Sequence, residues 1–236
     1  MNTILMPVLG TVTAILIWVV SIDEIRQARK KKDIGELDPI PFVIGWSSCI
    51  AWTFYSMCIG DLYVFWSNLP GVILMTFYVM SILVIMYRNS WESPEKMEKY
   101  FATERLFMFM VTFFTLVPLA VLIIDNHQLS SDIIGMIATI VNLMFFIAPC
   151  TVIVEVVRTK DASALFLPML TANFICSVCW FCYGLFGLND VWIYGVNGMG
   201  TFLQGTFVAM RLWYGNEKTN TLLNTDNDKE ALLPQE

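Results

Sequence analysis

Residues 52–71 read WTFYSMCIGDLYVFWSNLPG, and residues 180–200 read WFCYGLFGLNDVWIYGVNGMG. Laid over one another, Trp52 meets Trp180 and Tyr55 meets Tyr183 at an offset of 128, while Asp61 meets Asp190, Asn68 meets Asn197 and Gly71 meets Gly200 at 129. One extra residue in the second copy accounts for the change of offset. The match extends outward over residues 18–71 and 146–200, with basic patches ending in Lys32-Asp33 and Lys160-Asp161 at equivalent places. Trp, Tyr, Asp, Asn and Gly recurring in one order at a near-constant offset identify an internal duplication.

The solvent of this chain is a membrane. Of its 236 residues 57% are hydrophobic and 14% charged, and the mean hydropathy is +0.64, outside the range of soluble domains of this length. Apolar stretches recur at the roughly 20 residues a helix needs to cross about 30 Å of hydrocarbon, and no β-barrel alternation is present. The pattern predicts an all-α integral membrane protein with spans at residues 3–22, 40–59, 63–87, 106–124, 133–157, 165–186 and 191–214. Each copy supplies three spans. A linker span between them gives both copies the same orientation, hence seven transmembrane helices as two parallel three-helix repeats (3+1+3). The corresponding division is residues 1–88 for the first repeat, 89–130 for a cytosolic loop and linker helix, 131–214 for the second repeat, and 215–236 for a polar tail expected to be disordered. Pro70, Pro118, Pro149 and Pro168 are expected as kinks or local openings inside spans.

All fourteen Lys and Arg residues sort onto one side of this layout. The positive-inside rule then puts the N-terminus outside or in a lumen and the C-terminus in the cytosol. The first span lacks a basic n-region and a cleavage site of a signal peptide, and is read as retained. All six cysteines fall in spans and the sole histidine, His127, in a loop, so no metal or cofactor is expected, and nothing resembles a catalytic constellation. The net charge of −6 argues against nucleic-acid binding.

The residues Ala148-Pro149, Arg158-Thr-Lys-Asp161, Trp180-Phe-Cys-Tyr-Gly184 and Asn197-Gly-Met-Gly200 resemble the SWEET sugar-transporter family over residues 1–214. The first copy diverges more, with Ser21 standing where Pro149 stands in the second and Asn68-Leu-Pro-Gly71 in place of an Asn-Gly pair. The resemblance implies a central sugar pocket built from Trp52 and Asn68 of the first copy and Trp180 and Asn197 of the second. It implies hinge prolines at Pro149 and Pro41, with Pro168 standing out of register, and a homo-oligomer.

Those residue types suit a sugar. Amides offer an acceptor and two donors without charge, and indole faces cover patches of C–H. Two bulky walls favour a monosaccharide, and the lack of deeply placed ionisable residues favours uniport by alternating access. Asp61 and Asp190, near the outer ends of their spans, read as helix starts, and Asn142 as structural hydrogen bonding. In the tail, Asp228 with Leu232 and Leu233 matches the acidic dileucine spacing read by a sorting adaptor, so plasma and endolysosomal or vacuolar membranes both fit. A transporter of another small solute such as an amino acid, and a seven-helix receptor or sensor, are the competing readings. The repeat itself disfavours the receptor.

Overall fold

The computed structural model describes residues 2–121, 123–144, 153, 154, 156–160, 162, 165 and 167–231, with side chains described from residue 4 to 215. Its helices are α1 (Asn2–Val20), α2 (Ile22–Lys31), α3 (Ile40–Ile59), α4 (Leu62–Asn89), α5 (Pro94–Val121), α6 (His127–Met144), α7 (Leu167–Tyr183) and α8 (Val191–Ala231). Helical backbone also occurs at residues 153, 154 and 156–159, in the second half of the predicted fifth span and two residues past its end.

Among the described residues, Ile4–Lys31, Ile40–Ile59, Leu62–Glu92, Pro94–Val121 and Leu167–Leu188 are long and apolar enough to cross a membrane. The predicted span 133–157 runs partly through residues outside the description. The seventh, within α8, is long but diluted by Asn197, Gln204 and several glycines. Lipid-facing residues such as Val8, Val12, Leu16, Ile73, Val84, Leu116 and Phe202 are exposed apolar side chains, while Ser47, Ser48, Thr53, Ser56 and Ser67 are buried. Apolar outside and hydroxyls inside is the arrangement expected where hydrocarbon replaces water.

Within the first triplet α4 packs against both α1 and α3, and α5 lies outside the triplet against α3 and α4. Within the second, α8 packs against both α6 and α7. Across the triplets α1 packs on α7, and α3 on α6. The six helices therefore close a ring in the order α1, α4, α3, α6, α8, α7, with the first helix of each repeat against the second helix of the other. Trp46 anchors α5 to this ring through edge-on contacts with Phe107 and Phe114 at 5.3 and 6.4 Å, a geometry worth about 0.5–1.5 kcal/mol per pair.

The repeat is visible in the backbone. Lys32 and Lys160 both adopt the left-handed conformation, φ 59° and 56°, at equivalent positions of the two repeats. Gly60 and Asn189, one residue before the matched aspartates, do so at φ 72° and 51°. Gly and Asn are the residues that enter this region at least cost. The extra residue of the second copy is accommodated in a π-helical turn at Gly184–Leu188, since a turn closed by i→i+5 bonds absorbs one inserted residue without shifting the helices on either side.

Several sequence expectations differ from the structure. A short helix, α2, follows the bend at Ser21 where only a basic patch was expected. It is amphipathic, burying Ile25 and Ala28, with Asp23 and Glu24 in its first turn and Arg29, Lys30 and Lys31 in its last, charges that complement the helix dipole. The linker helix begins at Pro94 rather than at 106, because Ser93 caps it by accepting the amide of Lys96 at 3.2 Å and Pro94 fits the first helical position. Pro168 stands at the second residue of α7, not in its interior, matching Pro41 at the second residue of α3. At such a position proline breaks no helical hydrogen bond, so neither residue kinks its helix there. Pro149 lies outside the described residues. The helix α8 continues to Ala231, well past residue 215, because Asn216 to Ala231 contains neither proline nor glycine to stop it.

Candidate functional site: a repeat-matched cavity and its closure

The ring encloses a cavity of about 130 Å³, lined among others by Trp52, Asn68, Trp180 and Asn197. It is many times the roughly 10–15 Å³ that one water requires. All four residues predicted for the pocket thus meet in one place, two from each repeat. Helix periodicity sets the depth: Asn68 and Asn197 each stand six residues past the first residue of their helices, about 9 Å from the helix start at 1.5 Å per residue. Trp52 and Trp180, both 8% exposed, come from α3 and α7.

The two asparagines are held alike. Asn68 donates through Nδ2 to the carbonyl of Val64 at 2.9 Å and to Ser67 Oγ at 3.0 Å; Asn197 donates through Nδ2 to the carbonyl of Ile193 at 2.8 Å. Each uses the carbonyl four residues earlier, and among the described residues neither Oδ1 accepts a bond. Each amide is therefore pinned in orientation, and being only half-buried it has acceptor capacity to spare for a ligand or water.

Other lining residues also occupy matched positions: Ala14 with Asn142, Ser48 with Cys176, and Val64 with Ile193. Here the two sides differ chemically. On the α3–α6 side Ser48 donates to Asn142 Oδ1 at 3.0 Å, whereas on the α1–α7 side Cys176 makes a weak contact at 3.7 Å to the carbonyl of Gly10. One wall is polar and the opposite wall is nearly apolar. Among the described residues the lining contains no ionised side chain.

One turn further along its helix from each tryptophan is a tyrosine. Tyr55 OH donates to Asp190 Oδ2 at 2.6 Å, and Tyr183 OH donates to Asp61 Oδ2 at 2.6 Å. Both bonds cross between the repeats, and they are equivalent under the duplication. The remaining carboxylate oxygens cap the helices: Asp61 Oδ1 accepts the amide of Val64 at 2.8 Å, and Asp190 Oδ1 those of Trp192 and Ile193 at 3.0 and 3.2 Å. The helix-start role read from the sequence is present, and a second role sits on the other oxygen. The tyrosine rings pack edge-on against their tryptophans at 5.5 and 5.9 Å, so closure and pocket wall are mechanically continuous. Gly135 permits this packing, since a Cβ there would lie 2.7 Å from Trp192 and 2.8 Å from Tyr55.

A ring of two like-oriented triplets around an uncharged central cavity, closed on one side by bonds between the triplets, defines a small-solute carrier of the parallel-repeat class. Comparison with known proteins places it further. The family described as "Sugar efflux transporter for intercellular exchange" matches residues 5–90 and again 132–219, and the chain belongs to that family, the SWEET family. Among relatives, Sugar transporter SWEET1 of Drosophila pseudoobscura pseudoobscura is 26% identical over 185 residues, 76% of this chain and 75% of that protein. Bidirectional sugar transporter SWEET5 of Arabidopsis thaliana is 27% identical over 228 residues, 94% of this chain and 90% of that protein. A eukaryotic SWEET transporter solved at 3.7 Å resolution superposes with a TM-score of 0.80, covering 91% of this chain and 97% of that one at 20% identity. The fold is the all-α, seven-helix 3+1+3 architecture.

Proposed function

We propose that the protein carries a small neutral sugar, a monosaccharide, across a membrane by uniport, with Trp52, Asn68, Trp180 and Asn197 as the binding residues. The observation that carries this reading is the repeat-matched cavity: two indole faces for sugar C–H patches and two pinned amides, with free acceptors and no ionised group in the lining among the described residues. The names of its relatives supply the solute class. Ser48 and Asn142 join the site as a polar edge for the sugar hydroxyls, opposite the apolar edge of Ala14 and Cys176. A cavity of about 130 Å³ leaves little room for a second sugar ring.

In the mechanism, the Tyr55–Asp190 and Tyr183–Asp61 bonds hold the outer side shut. Opening separates the repeats there, breaking two equivalent charge-assisted hydrogen bonds, and re-closure over a bound sugar returns them. Because the rocking moves no ionised group from the cavity, a concentration gradient alone sets direction. Pro41 and Pro168, at the starts of their helices, act as hinge points in this proposal together with Pro149, and the basic loops face the cytosol, leaving the N-terminus outside or lumenal.

A homo-oligomer is part of the proposal, as is recognition of Asp228, Leu232 and Leu233 by a sorting adaptor, which would send the protein to the plasma membrane or to an endolysosomal or vacuolar one. Glucose and sucrose flux into liposomes, with and without a proton gradient, tests the transport reading. Saturable glucose flux insensitive to the gradient and faster than sucrose is expected. Flux that requires the proton gradient, or equal rates for the two sugars, contradicts it.

A further inference from the structure

The groove between α2 and the inner half of α4 belongs neither to the central cavity nor to its closure. It is a concave space of about 490 Å³, with Arg29, Lys32 and Arg88 at one end and Phe77, Met80 and Val84 along its length. The apolar part opens toward hydrocarbon, since Phe77, Met80 and Val84 are all exposed, Val84 at 65%.

The cationic end is built rather than incidental. Lys32 caps α2 in the left-handed conformation, and its carbonyl accepts Arg88 Nη2 at 2.8 Å and Asn89 Nδ2 at 3.0 Å, which ties α2 to the end of α4. The Arg29 guanidinium lies 5.4 Å from the centre of the Phe77 ring, at the junction of the charged and apolar parts. Among the described residues the ion pairs are Arg26–Asp23 and Lys96–Glu92, so the three groove cations face the space without a carboxylate partner. Tyr87 and Trp91, both exposed and in edge contact at 6.4 Å, flank Arg88. Exposed aromatics of this kind mark the headgroup level of a bilayer.

Three uncompensated cations at headgroup depth, continuous with an apolar groove running into the hydrocarbon, fit one occupant. We infer that the groove binds an anionic phospholipid, with its phosphate between Arg29, Lys32 and Arg88 and an acyl chain along Phe77, Met80 and Val84. The inference uses the orientation proposed above, in which this face meets the cytosolic leaflet where anionic lipids concentrate. A free phosphate would use the cations alone and leave the apolar length empty. The bound lipid would brace the joint between the first and third helices of the first repeat.

The test is native mass spectrometry of the purified full-length protein titrated with phosphatidylserine or phosphatidylcholine, with excess inorganic phosphate as competitor. One retained phosphatidylserine, weaker phosphatidylcholine and no displacement by phosphate are expected. At about fivefold per cation, Arg29→Gln with Arg88→Gln weakens binding about 25-fold. Lys30→Gln with Lys31→Gln removes the same charge from α2 outside the groove and is expected to cost far less. Val84→Trp keeps every charge but fills the groove, and it also lowers phosphatidylserine retention, so it decides the matter if the double arginine variant does not fold. Equal losses in the two double variants mean diffuse attraction and overturn the site, as do displacement by phosphate, equal retention of the two lipids, or a Val84→Trp variant that binds as the parent does.

Discussion

Tyr55→Phe removes one hydroxyl from the closure and preserves the ring that packs on Trp52 at 5.5 Å. Asp190 Oδ2 then loses its donor in the closed state, while in the open state both groups meet water and the substitution changes little. A hydrogen bond to a charged group contributes about 1.5–3 kcal/mol. Asp190 is half-buried rather than buried, so the lower end, about 1.5 kcal/mol or roughly a tenfold rise in the open population, is the appropriate figure. The duplication predicts the same effect for Tyr183→Phe, and about 100-fold for the pair if the two bonds act independently. The assay uses Cys176, which lines the cavity, in a background with the other five cysteines replaced by alanine. Its rate of modification by a membrane-impermeant thiol reagent added outside reports the open population. Asp190→Asn retains a capping oxygen and should raise the rate less than Asp190→Ala, which loses cap and closure together. An unchanged labelling rate in folded Tyr55→Phe and Tyr183→Phe would refute the closure.

Other substitutions test the packing and the asymmetry of the site. A Cβ at Gly71 would lie 2.6 Å from Cys49 Sγ and 3.0 Å from Trp18 Nε1, so Gly71→Ala should destabilise by about 1–3 kcal/mol in thermal unfolding, with partial recovery on adding Cys49→Ala. Deleting Phe186, exposed in the π-turn, should leave a folded protein with a regular α-helical turn there, whereas deleting Phe181 rotates Tyr183 away from Asp61 and should abolish folding or transport. Ser48→Ala leaves Asn142 Oδ1 without its donor and should raise the KM for glucose several-fold, more than Cys176→Ala on the apolar wall, in liposome flux measurements.

The architecture was legible because its markers are rare residue types: Trp52, Tyr55, Asp61, Asn68 and Gly71 and their partners carry enough information to reveal the duplication within apolar sequence. Placement of the four pocket residues followed, since matched positions on like-oriented repeats converge on the pseudo-twofold axis. The closure escaped because Asp61 and Asp190 each satisfy a local helix-start pattern, and nothing local reveals that the second carboxylate oxygen reaches across to the other repeat. The signal was present in the match itself, which pairs both tyrosines and both aspartates. Asn142 reads as structural because its counterpart is Ala14, and it does accept a hydrogen bond from Ser48. The same asymmetry gives the cavity one polar wall. The helix α2 escaped for a physical reason of another kind. It lies beyond the apolar span and buries only Ile25 and Ala28, too short a stripe to register as periodicity.

The central claim is that the two pinned amides form the transport site. Glucose uptake into liposomes containing purified wild-type protein, Asn68→Ala or Asn197→Ala, with no ion gradient imposed, tests it most directly. Saturable wild-type flux reduced at least about tenfold in both variants is predicted, one unpaired sugar hydroxyl costing about 1–3 kcal/mol. Wild-type flux with both variants as active as the parent would contradict the account.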